Sequence, residues 1–361
     1  QRLNKCLLCG SCAANCPSGV NAVEIFVKAR GILAEYKGLS PVKKLIFKKM
    51  LTNPSLFNRL TEHLGRFQWI FMKSDNNTQG TSCARLVSPL IEGRHILPVA
   101  KVPFHNSDFQ PVSAPGRSGL SVVFFVGCII DKIFPSIAQA SMTVFKHHGV
   151  GVLCPENQGC CGIPALASGD RQSFDALVEH NLDLLKGLKF DYLLTACATC
   201  TSTIKKLWPL LYQGKGSGTR AFVREISEKT LDINQFLINR LTVEEASQKN
   251  EKTTACVTYH DPCHLKKSLG VIEEPRKLIR AAGNRLVEMS GPDKCCGMGG
   301  SFSIYHHDIS RKIALRKARD IKSSGADLVV TACPGCITQI NDALIQSDMP
   351  QRAVHIMALF D

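Results

Sequence analysis

The sequence predicts a duplicated α/β protein, in which two domains with short parallel sheets follow a helical head. Three observations indicate this fold class. Five cysteines recur at a nearly constant offset between residues 128 and 336 of the 361-residue chain. Short apolar runs alternate with helical stretches from residue 119 onward, and apolar residues recur at helical spacing in the first 80 residues. Because alternating strands and helices build parallel sheets, each repeat is expected to carry one sheet.

The head begins with a closely spaced cysteine run, Cys6, Cys9, Cys12 and Cys16, followed by a proline. This is the Cys-x2-Cys-x2-Cys-x3-Cys-Pro pattern of bacterial-type ferredoxins, in which three thiolates bind one [4Fe-4S] cubane and the fourth ligates the other cluster of a two-cluster module. No second run follows and the chain opens on glutamine, so we expect the native protein to continue upstream with a partner run. The alternative is a one-cluster module whose fourth ligand is distant, such as Cys83.

Composition suggests where the domains divide. Helical periodicity over residues 23–33 and 45–69 predicts helices behind the cluster loop, and a stretch rich in proline, glycine and asparagine over residues 75–118 predicts a linker. The expected division is a head over residues 1–80, a linker over 81–118, a first repeat domain over 119–240 and a second repeat domain over 250–361.

The repeated cysteines follow predicted strands. These strands are residues 121–126, 151–153 and 192–195 in the first repeat and 256–259, 285–289 and 328–331 in the second. Ligands of parallel sheets bind beyond the carboxyl ends of the strands, so three loops are expected to meet at one metal site in each repeat. The expected ligands are Cys128, Cys160, Cys161, Cys197 and Cys200 in the first site, and Cys263, Cys295, Cys296, Cys333 and Cys336 in the second.

Three kinds of chemistry compete for these cysteines. Disulfides are disfavoured because the total of 17 cysteines is odd and no export signal or bilayer-spanning run is found. Zinc sites use four ligands, whereas five cysteines per repeat favour iron and sulfide. Gly162 and Gly297, beside the adjacent cysteine pairs, would let the backbone approach such a cluster. Cys83, Cys154 and Cys256 lie outside the repeat and are interpreted as core or linker thiols.

The two repeats differ in polarity around their first cysteine. The first has apolar residues there, over 124–129, whereas the second has His260, Asp261 and His264. Polar groups beside a cluster raise its potential and carry protons. We therefore hypothesise that the first site is a buried relay and the second an exchange or reaction site, with these three residues as candidate catalytic groups. The alternative is that His260 and Asp261 only cap the end of a strand.

Net charge is +14, and the first 118 residues hold 16 Lys and Arg against 6 Asp and Glu. The segment over residues 43–51 mixes lysines with apolar side chains. It fits a helix on an anionic membrane surface, a docking face for an acidic redox partner, or an ordinary solvated helix. Nucleic-acid binding is excluded as an interpretation because no basic stripe with interleaved aromatic residues is found.

The whole arrangement resembles iron-sulfur subunits that join a ferredoxin-like head to two cysteine-rich CCG domains, of the glycolate and lactate oxidase type and, more distantly, the B and D subunits of heterodisulfide reductase. The resemblance implies one or two [4Fe-4S] clusters in the CCG domains, of the noncubane type that five cysteines bind in heterodisulfide reductase, besides the head cubane, with Cys16 serving a second cubane. It also implies an electron-transfer role between an FAD-containing 2-hydroxyacid dehydrogenase subunit and a quinone or other acceptor.

The same resemblance carries an alternative, in which the chain is a catalytic subunit that reduces a disulfide at noncubane clusters. In either case it implies a subunit of an oxidoreductase in the cytoplasm, including one held peripherally at the inner face of the cytoplasmic membrane.

Overall fold

The computed structural model describes residues 2–68, 72–74, 82–84, 98–108, 114–214, 216–241, 243 and 255–360. Most of the predicted linker lies outside these residues, and so does the side chain of Cys83. The proposed role of Cys83 as a distant ligand therefore stays a prediction.

The N-terminal region is mostly helical. Its helices are a 3-10 turn at Arg2–Lys5, α1 (Ser11–Ala14), α2 (Ala22–Lys37), α3 (Pro41–Leu45), a π-helical turn at Ile46–Leu51 and α4 (Pro54–Phe67). Side-chain caps begin the longer helices: Asn21 accepts from the amide of Glu24 before α2, and Asn53 accepts from that of Leu56 before α4. Beyond α4, β1 (Met72–Ser74) and β2 (Ser82–Ala84) form an antiparallel pair, and a 3-10 turn covers Phe104–Asn106.

The first repeat builds a four-stranded parallel sheet. Its strands are β3 (Ser121–Phe124), β4 (Gly151–Leu153), β5 (Tyr192–Thr195) and β6 (Thr230–Asp232), in the order β4-β3-β5-β6. Its helices are α5 (Cys128–Lys132), α6 (Pro135–His147), α7 (Ile163–Ala167), α8 (Arg171–Leu185), α9 (Ala198–Ser202), a π-helical turn at Thr203–Leu207, α10 (Trp208–Leu211), α11 (Ser217–Lys229) and α12 (Ile233–Asn239).

The second repeat builds another four-stranded parallel sheet. Its strands are β7 (Cys256–Tyr259), β8 (Arg285–Leu286), β9 (Leu328–Thr331) and β10 (Arg352–His355), in the order β10-β9-β7-β8. Its helices are a π-helical turn at His264–Ser268, α13 (Glu273–Ala281), α14 (Phe302–Tyr305), α15 (His307–Ser324), α16 (Pro334–Ile345) and a closing 3-10 turn at Ile356–Leu359.

The sequence predicted both parallel sheets, and four of the six predicted strands have the predicted bounds. The strand predicted at 121–126 ends at Phe124, and the one at 285–289 is only Arg285–Leu286. The edge strands β6 and β10 were not predicted, because three or four residues beside long helices carry too little periodicity to distinguish them. They widen each sheet beyond β5 or β9, the strand that leads to the Cys-x-x-Cys loop.

The two repeats contact each other through equivalent loops. The amide of Ala198 donates to the carbonyl of Ala332 at 3.0 Å. The reciprocal bond cannot form because Pro334 has no N–H to donate. Instead the carbonyl of Ala196 accepts from Nε2 of His355, at the end of β10, at 2.8 Å. The loops that carry the two Cys-x-x-Cys pairs therefore lie against one another in the middle of the molecule.

None of the helices in the described ranges combines the length and the apolar character that a membrane crossing requires.

Candidate metal centre

The five cysteines of the first repeat come together beyond the carboxyl ends of β3, β4 and β5. Sγ of Cys128, the first residue of α5, lies 3.7 Å from Sγ of Cys160. Cys161 is hydrogen-bonded to both Cys160 and Cys200, and Cys200 in turn to Cys197. Four of the five are buried, and Cys128 is partly exposed. The predicted ligand set thus forms one cluster of thiols.

The second repeat brings its own five cysteines together in the same way. Cys263 is hydrogen-bonded to Cys295, and Sγ of Cys296 lies 3.5 Å from Sγ of Cys336. Cys336 is also hydrogen-bonded to Cys333. Both repeats therefore present the same thiol arrangement, as the sequence predicted.

The two thiol clusters are joined. Cys197 of the first cluster is hydrogen-bonded to Cys333 of the second, and Oγ1 of Thr199 lies 3.7 Å from Sγ of Cys333. Nothing in the sequence indicates this contact, because a repeat reveals equivalent positions but not how the copies pack. The sites therefore form one double centre.

The N-terminal region adds one more thiol to this row. The thiol of Cys9 lies close enough to that of Cys263 to raise the pKa of Cys263, so eleven cysteines follow one another as neighbours from the N-terminal loop to the first site. In order they are Cys9, Cys263, Cys295, Cys296, Cys336, Cys333, Cys197, Cys200, Cys161, Cys160 and Cys128. We call this row the thiol ladder.

The other N-terminal cysteines do not meet at one point. Over the described ranges, the one group of three or more potential metal-binding side chains found within 4.8 Å of one another is His260, Cys296 and Cys336. Cys6 accepts from the amide of Leu8 at 3.4 Å. The binding of a cubane by Cys6, Cys9 and Cys12, and the service of Cys16 to another cluster, remain predictions.

Three contacts fix the N-terminal loop against the repeats. Arg30 of α2 donates to the carbonyls of Leu3, Cys6 and Ala167, at 2.8, 2.6 and 2.8 Å. His264 lies 3.1 Å from the carbonyl of Leu8 through Nε2 and 3.0 Å from Thr199 Oγ1 through Nδ1. Lys267 donates to Ser11 Oγ at 2.6 Å. His264, a candidate catalytic residue from the sequence, therefore links the N-terminal loop to the first repeat.

The glycines after the cysteine pairs have backbone conformations that other residues avoid. Gly162 and Gly297 have φ of +93° and +96°. A Cβ on Gly162 would lie 2.7 Å from the ring of Phe174, and one on Gly297 would lie 2.7 Å from the carbonyl oxygen of Ser310. The amide of Gly297 donates to Sγ of Cys295 at 3.4 Å. Both glycines therefore let α8 and α15 close tightly on the cysteine pairs.

Thiol chemistry favours metal binding at this centre. All sixteen cysteines whose side chains the structure describes are free of disulfides. Hydrogen bonds from Cys160 and Cys200 lower the pKa of Cys161. Those from Cys295 and Cys336 lower that of Cys296. The same contacts raise the pKa of the partner thiols Cys160, Cys200 and Cys336. One thiol in each adjacent pair is thus favoured as the thiolate, which is the form that binds metal.

Two buried polar groups at the second site support the same fit. Neither ring nitrogen of His260 has a hydrogen-bond partner among the described residues, although the side chain is fully buried. Lys317 is 2% exposed, and its ammonium donates to the carbonyls of Gly291 and Pro292, at 2.8 and 3.3 Å. A buried cation needs a nearby negative charge, which a thiolate-bound cluster supplies. The residues present therefore fit iron-sulfur clusters.

Lys317 was missed by the sequence analysis, although a signal for it was present. Lys317 lies on the buried face of α15. The other residues of that face include Ser310, Ala314 and Ala318, which are small, so a lysine in this pattern is unexpected. Burial lowers the pKa of Lys317, whereas the neighbouring Cys296 opposes that shift.

Asp261 has a structural partner that the sequence did not reveal. Both oxygens of its buried carboxylate accept from Arg276 of α13, at 3.0 Å each, and Lys266 approaches to 3.5 Å. His260, by contrast, points at the thiols, and its burial lowers its pKa to about 3. The three polar candidates therefore occupy three different environments.

A cavity among the described residues opens on the first site. It has a volume of about 670 Å³ between α4 and the first repeat, and Cys128, Cys160, His105 and Lys132 line it. A cavity of about 370 Å³ lies between the N-terminal loop and the second site, beside Cys9 and Cys263. Cys128 faces the first of these cavities, whereas the other four thiols of the first site are buried. The assignment of a buried relay to the first site and a reaction site to the second therefore stays a hypothesis.

Comparisons with known proteins agree with this architecture. The sequence profile of the Cysteine-rich domain family (CCG) matches residues 122–205 and 257–341. Lactate utilization protein A of Exiguobacterium is 30% identical over 237 residues, which cover 65% of this chain and 95% of that protein. The probable glycolate oxidase iron-sulfur subunit of Bacillus subtilis is 27% identical, with 99% of this chain and 82% of that protein covered.

A methanogen protein matches over the same extent. This protein, a component of the fumarate reductase (CoM/CoB) of Methanothermobacter marburgensis, is 29% identical over 99% of this chain. This chain spans only 60% of that protein, and 46% of an uncharacterized iron-sulfur protein of Methanococcus maripaludis that is 32% identical over 251 residues.

Proposed function

Because the chain belongs to the cysteine-rich (CCG) iron-sulfur family that includes lactate utilization protein A, we propose that it is the electron-transfer subunit of a multi-subunit oxidoreductase. The observation that carries the proposal is the thiol ladder, which joins the N-terminal loop and both repeats without a break. Iron-sulfur clusters supply one-electron transfer, which divides two-electron chemistry into single steps. Electron transfer between clusters requires that their sites lie close together, as these sites do.

The ligands follow from the thiol clusters. The first five repeated cysteines would hold one [4Fe-4S] cluster and the second five another, both of the noncubane type. In the N-terminal region, Cys6, Cys9 and Cys12 would hold a cubane in a ferredoxin-like head, with Cys16 directed at a second cubane. The contact between Cys9 and Cys263 supports this order, because it connects the head to the second site first.

The partners are inferred from the relatives. An iron-sulfur subunit of glycolate oxidase and a lactate utilization protein are similar to this chain, so the proposed electron donor is an FAD-containing 2-hydroxyacid dehydrogenase subunit. The acceptor would be a quinone or another redox partner. The cavity beside Cys128 and Cys160 supports the first site as the place where electrons leave the chain. The protein would work in the cytoplasm or at the inner face of the cytoplasmic membrane.

A second function is supported by one specific observation. Two cluster sites in direct contact through Cys197 and Cys333 could act together on one disulfide, each supplying one electron. The chain would then be a catalytic subunit like those of heterodisulfide reductase. The two functions differ in what the isolated chain can do, because only the second predicts thiol-disulfide turnover without a flavoprotein.

The experiment is a reductive titration of anaerobically purified protein, with iron and acid-labile sulfide measured beside electron paramagnetic resonance. Two signals from the repeats are expected, one lost in Cys200→Ala and the other in Cys336→Ala. Cys154→Ala is the matched control, because this neighbouring thiol lies outside the ladder and its burial raises its pKa to about 12. Protein that holds zinc, or no sulfide, at the repeats would refute the electron-transfer function.

A further inference from the structure

The side chain of His260 lies directly beside the thiols of the second site. It follows β7 directly, its backbone amide donates to the carbonyl of Val330 at 2.9 Å, and its side chain is fully buried. One ring nitrogen lies within 4.8 Å of both Sγ atoms of Cys296 and Cys336, which are themselves 3.5 Å apart. Three ligand atoms at such separations can share one metal ion.

The ring has no other partner in the described structure. Neither Nδ1 nor Nε2 makes a hydrogen bond, and a buried polar group left unpaired destabilises the fold unless a ligand or metal satisfies it. Imidazole is a good ligand for iron.

The first repeat has no such group at the equivalent position. Phe125 stands three residues before Cys128, as His260 stands three before Cys263. The residue beneath the site differs as well. Asn181 of α8 bonds the carbonyl of Cys160 at 3.0 Å, whereas its counterpart in α15 is the buried Lys317. The second site thus has one more potential ligand and one more positive charge than the first.

We propose that His260 is a nitrogen ligand of the iron-sulfur cluster at the second site, bound beside Cys296 and Cys336. The first site, with Phe125, is held by thiolates alone. This inference rests on the proposed iron-sulfur function and adds a ligand that the cysteine pattern does not contain.

The consequence is an electronic difference between two sites of similar shape. As an addition to the cysteine ligands, a neutral imidazole brings no further negative charge to the cluster. The buried ammonium of Lys317 has no counterpart in the first repeat and stabilises the reduced form of the second cluster electrostatically. The second cluster is therefore expected to have the higher reduction potential, so an electron that enters the double centre occupies the second cluster at equilibrium.

The test is pulsed electron paramagnetic resonance on the full chain, purified anaerobically with natural-abundance and with 15N-labelled histidine. The signal of the second site is expected to show a nitrogen coupling of the strength of a metal-bound imidazole, altered by the label. His260→Phe, which copies the first repeat, should abolish that coupling. His260→Cys should keep the iron content, lack the coupling and shift the potential of the second site downward.

His355→Gln is the matched control. His355 is also buried near Cys333, but its ring nitrogens are occupied by the carbonyl of Ala196 and the amide of Met357. The coupling should survive this substitution. If the His260 variants do not fold, the labelled wild-type protein still decides the matter.

A loaded second cluster with no histidine coupling, or with only the weak coupling of a hydrogen-bonded ring, would overturn the ligand assignment and leave the proposed function intact. A second site without iron would overturn both, and the iron and sulfide content separates these two results.

Discussion

The pair formed by Asp261 and Arg276 illustrates how burial decides the role of a residue. Asp261 stands two residues before a ligand cysteine, where a proton-carrying group would be expected. Its carboxylate is nevertheless 1% exposed and is bound by both terminal nitrogens of Arg276, which also binds Glu288 at 2.7 Å. A carboxylate held in this way orients α13 against the ligand loop and is poorly placed to exchange protons.

Substitution of Asp261 by Asn should therefore destabilise the fold. Asp261→Asn leaves Arg276 with the half-exposed Glu288 as its remaining counter-charge and removes its buried one, so we expect the free energy of unfolding to fall by about 3 kcal/mol. Urea unfolding under anaerobic conditions measures this effect, with Glu288→Gln, at the exposed end of the same network, as the control. Unchanged stability with lost turnover would instead favour a catalytic Asp261.

Arg30 has an equivalent role for the N-terminal loop. Its guanidinium holds three carbonyls that belong to the cluster loop and to α7. In Arg30→Met these acceptors lose their donor, so we expect a loss of about 1–3 kcal/mol and faster alkylation of Cys6 and Cys9 in the metal-free protein. Lys28→Met, on an exposed position of the same helix, should leave the alkylation rate unchanged. Equal rates in both variants would contradict this role.

At the scale of elements, α4 is joined to α5 through a network of charges beside the first site. Nδ1 of His105 lies 2.9 Å from Asp131, and its Nε2 lies 3.0 Å from Glu62 of α4. Lys132, which is 4% exposed, donates to Asp131 and, at 2.7 Å, to Asn58 of α4. This network forms one wall of the 670 Å³ cavity, so the shape of that cavity depends on its protonation.

The network should weaken at high pH. Burial alone would lower the pKa of His105, but its hydrogen bonds with Asp131 and Glu62 raise the pKa above its usual 6.5. A raised folded-state pKa contributes stability that is complete below pH of about 6.5 and is lost as pH rises through the folded value. The stability difference between wild type and His105→Gln should therefore be largest near pH 6 and shrink towards pH 9.

Urea midpoints at several pH values measure this difference, with His63→Gln, an exposed histidine of α4, as the control. Protonation of Asp131 does not disturb this measurement at pH of about 6, because His105 and Lys132 hold the pKa of Asp131 below its usual range despite its burial. Its contribution is lost only as pH falls through that lowered value. A difference that grows with pH would contradict the protonated form of His105.

At the scale of the whole molecule, the thiol ladder connects Cys9 to the first site through the cysteines of the second site, and the described chain contains no other row of thiols between them. In Cys336→Ala, whose thiol lies between Cys296 and Cys333, we expect the second cluster to be lost and reduction of the first site through the N-terminal region to slow by at least tenfold. Rapid-mixing reduction followed by freeze-quench spectroscopy measures the rate. Cys256→Ala controls for loss of a buried thiol off the ladder, and an unchanged rate in Cys336→Ala would exclude this route.

The sequence predicted which cysteines lie together in each repeat, because these cysteines stand in loops that directly follow short apolar strands such as Gly151–Leu153. Their role as ligands stays a prediction. It did not predict the contact between Cys197 and Cys333, the proximity of Cys9 to Cys263, or the pairing of Asp261 with Arg276. Each of these depends on how two elements distant in sequence pack together, and side-chain periodicity contains no information about that packing.

The attachment of the N-terminal loop through Arg30, His264 and Lys267 has a consequence for the physics of transfer. A carrier that swings between docking positions slows down when the solvent becomes more viscous. Here the loop bonds directly to both repeats, so no segmental motion is required between Cys9 and Cys263. Electron movement within this chain should therefore be as fast in glycerol as in buffer. Any viscosity dependence of the proposed multi-subunit oxidoreductase should arise where this chain meets its proposed partners.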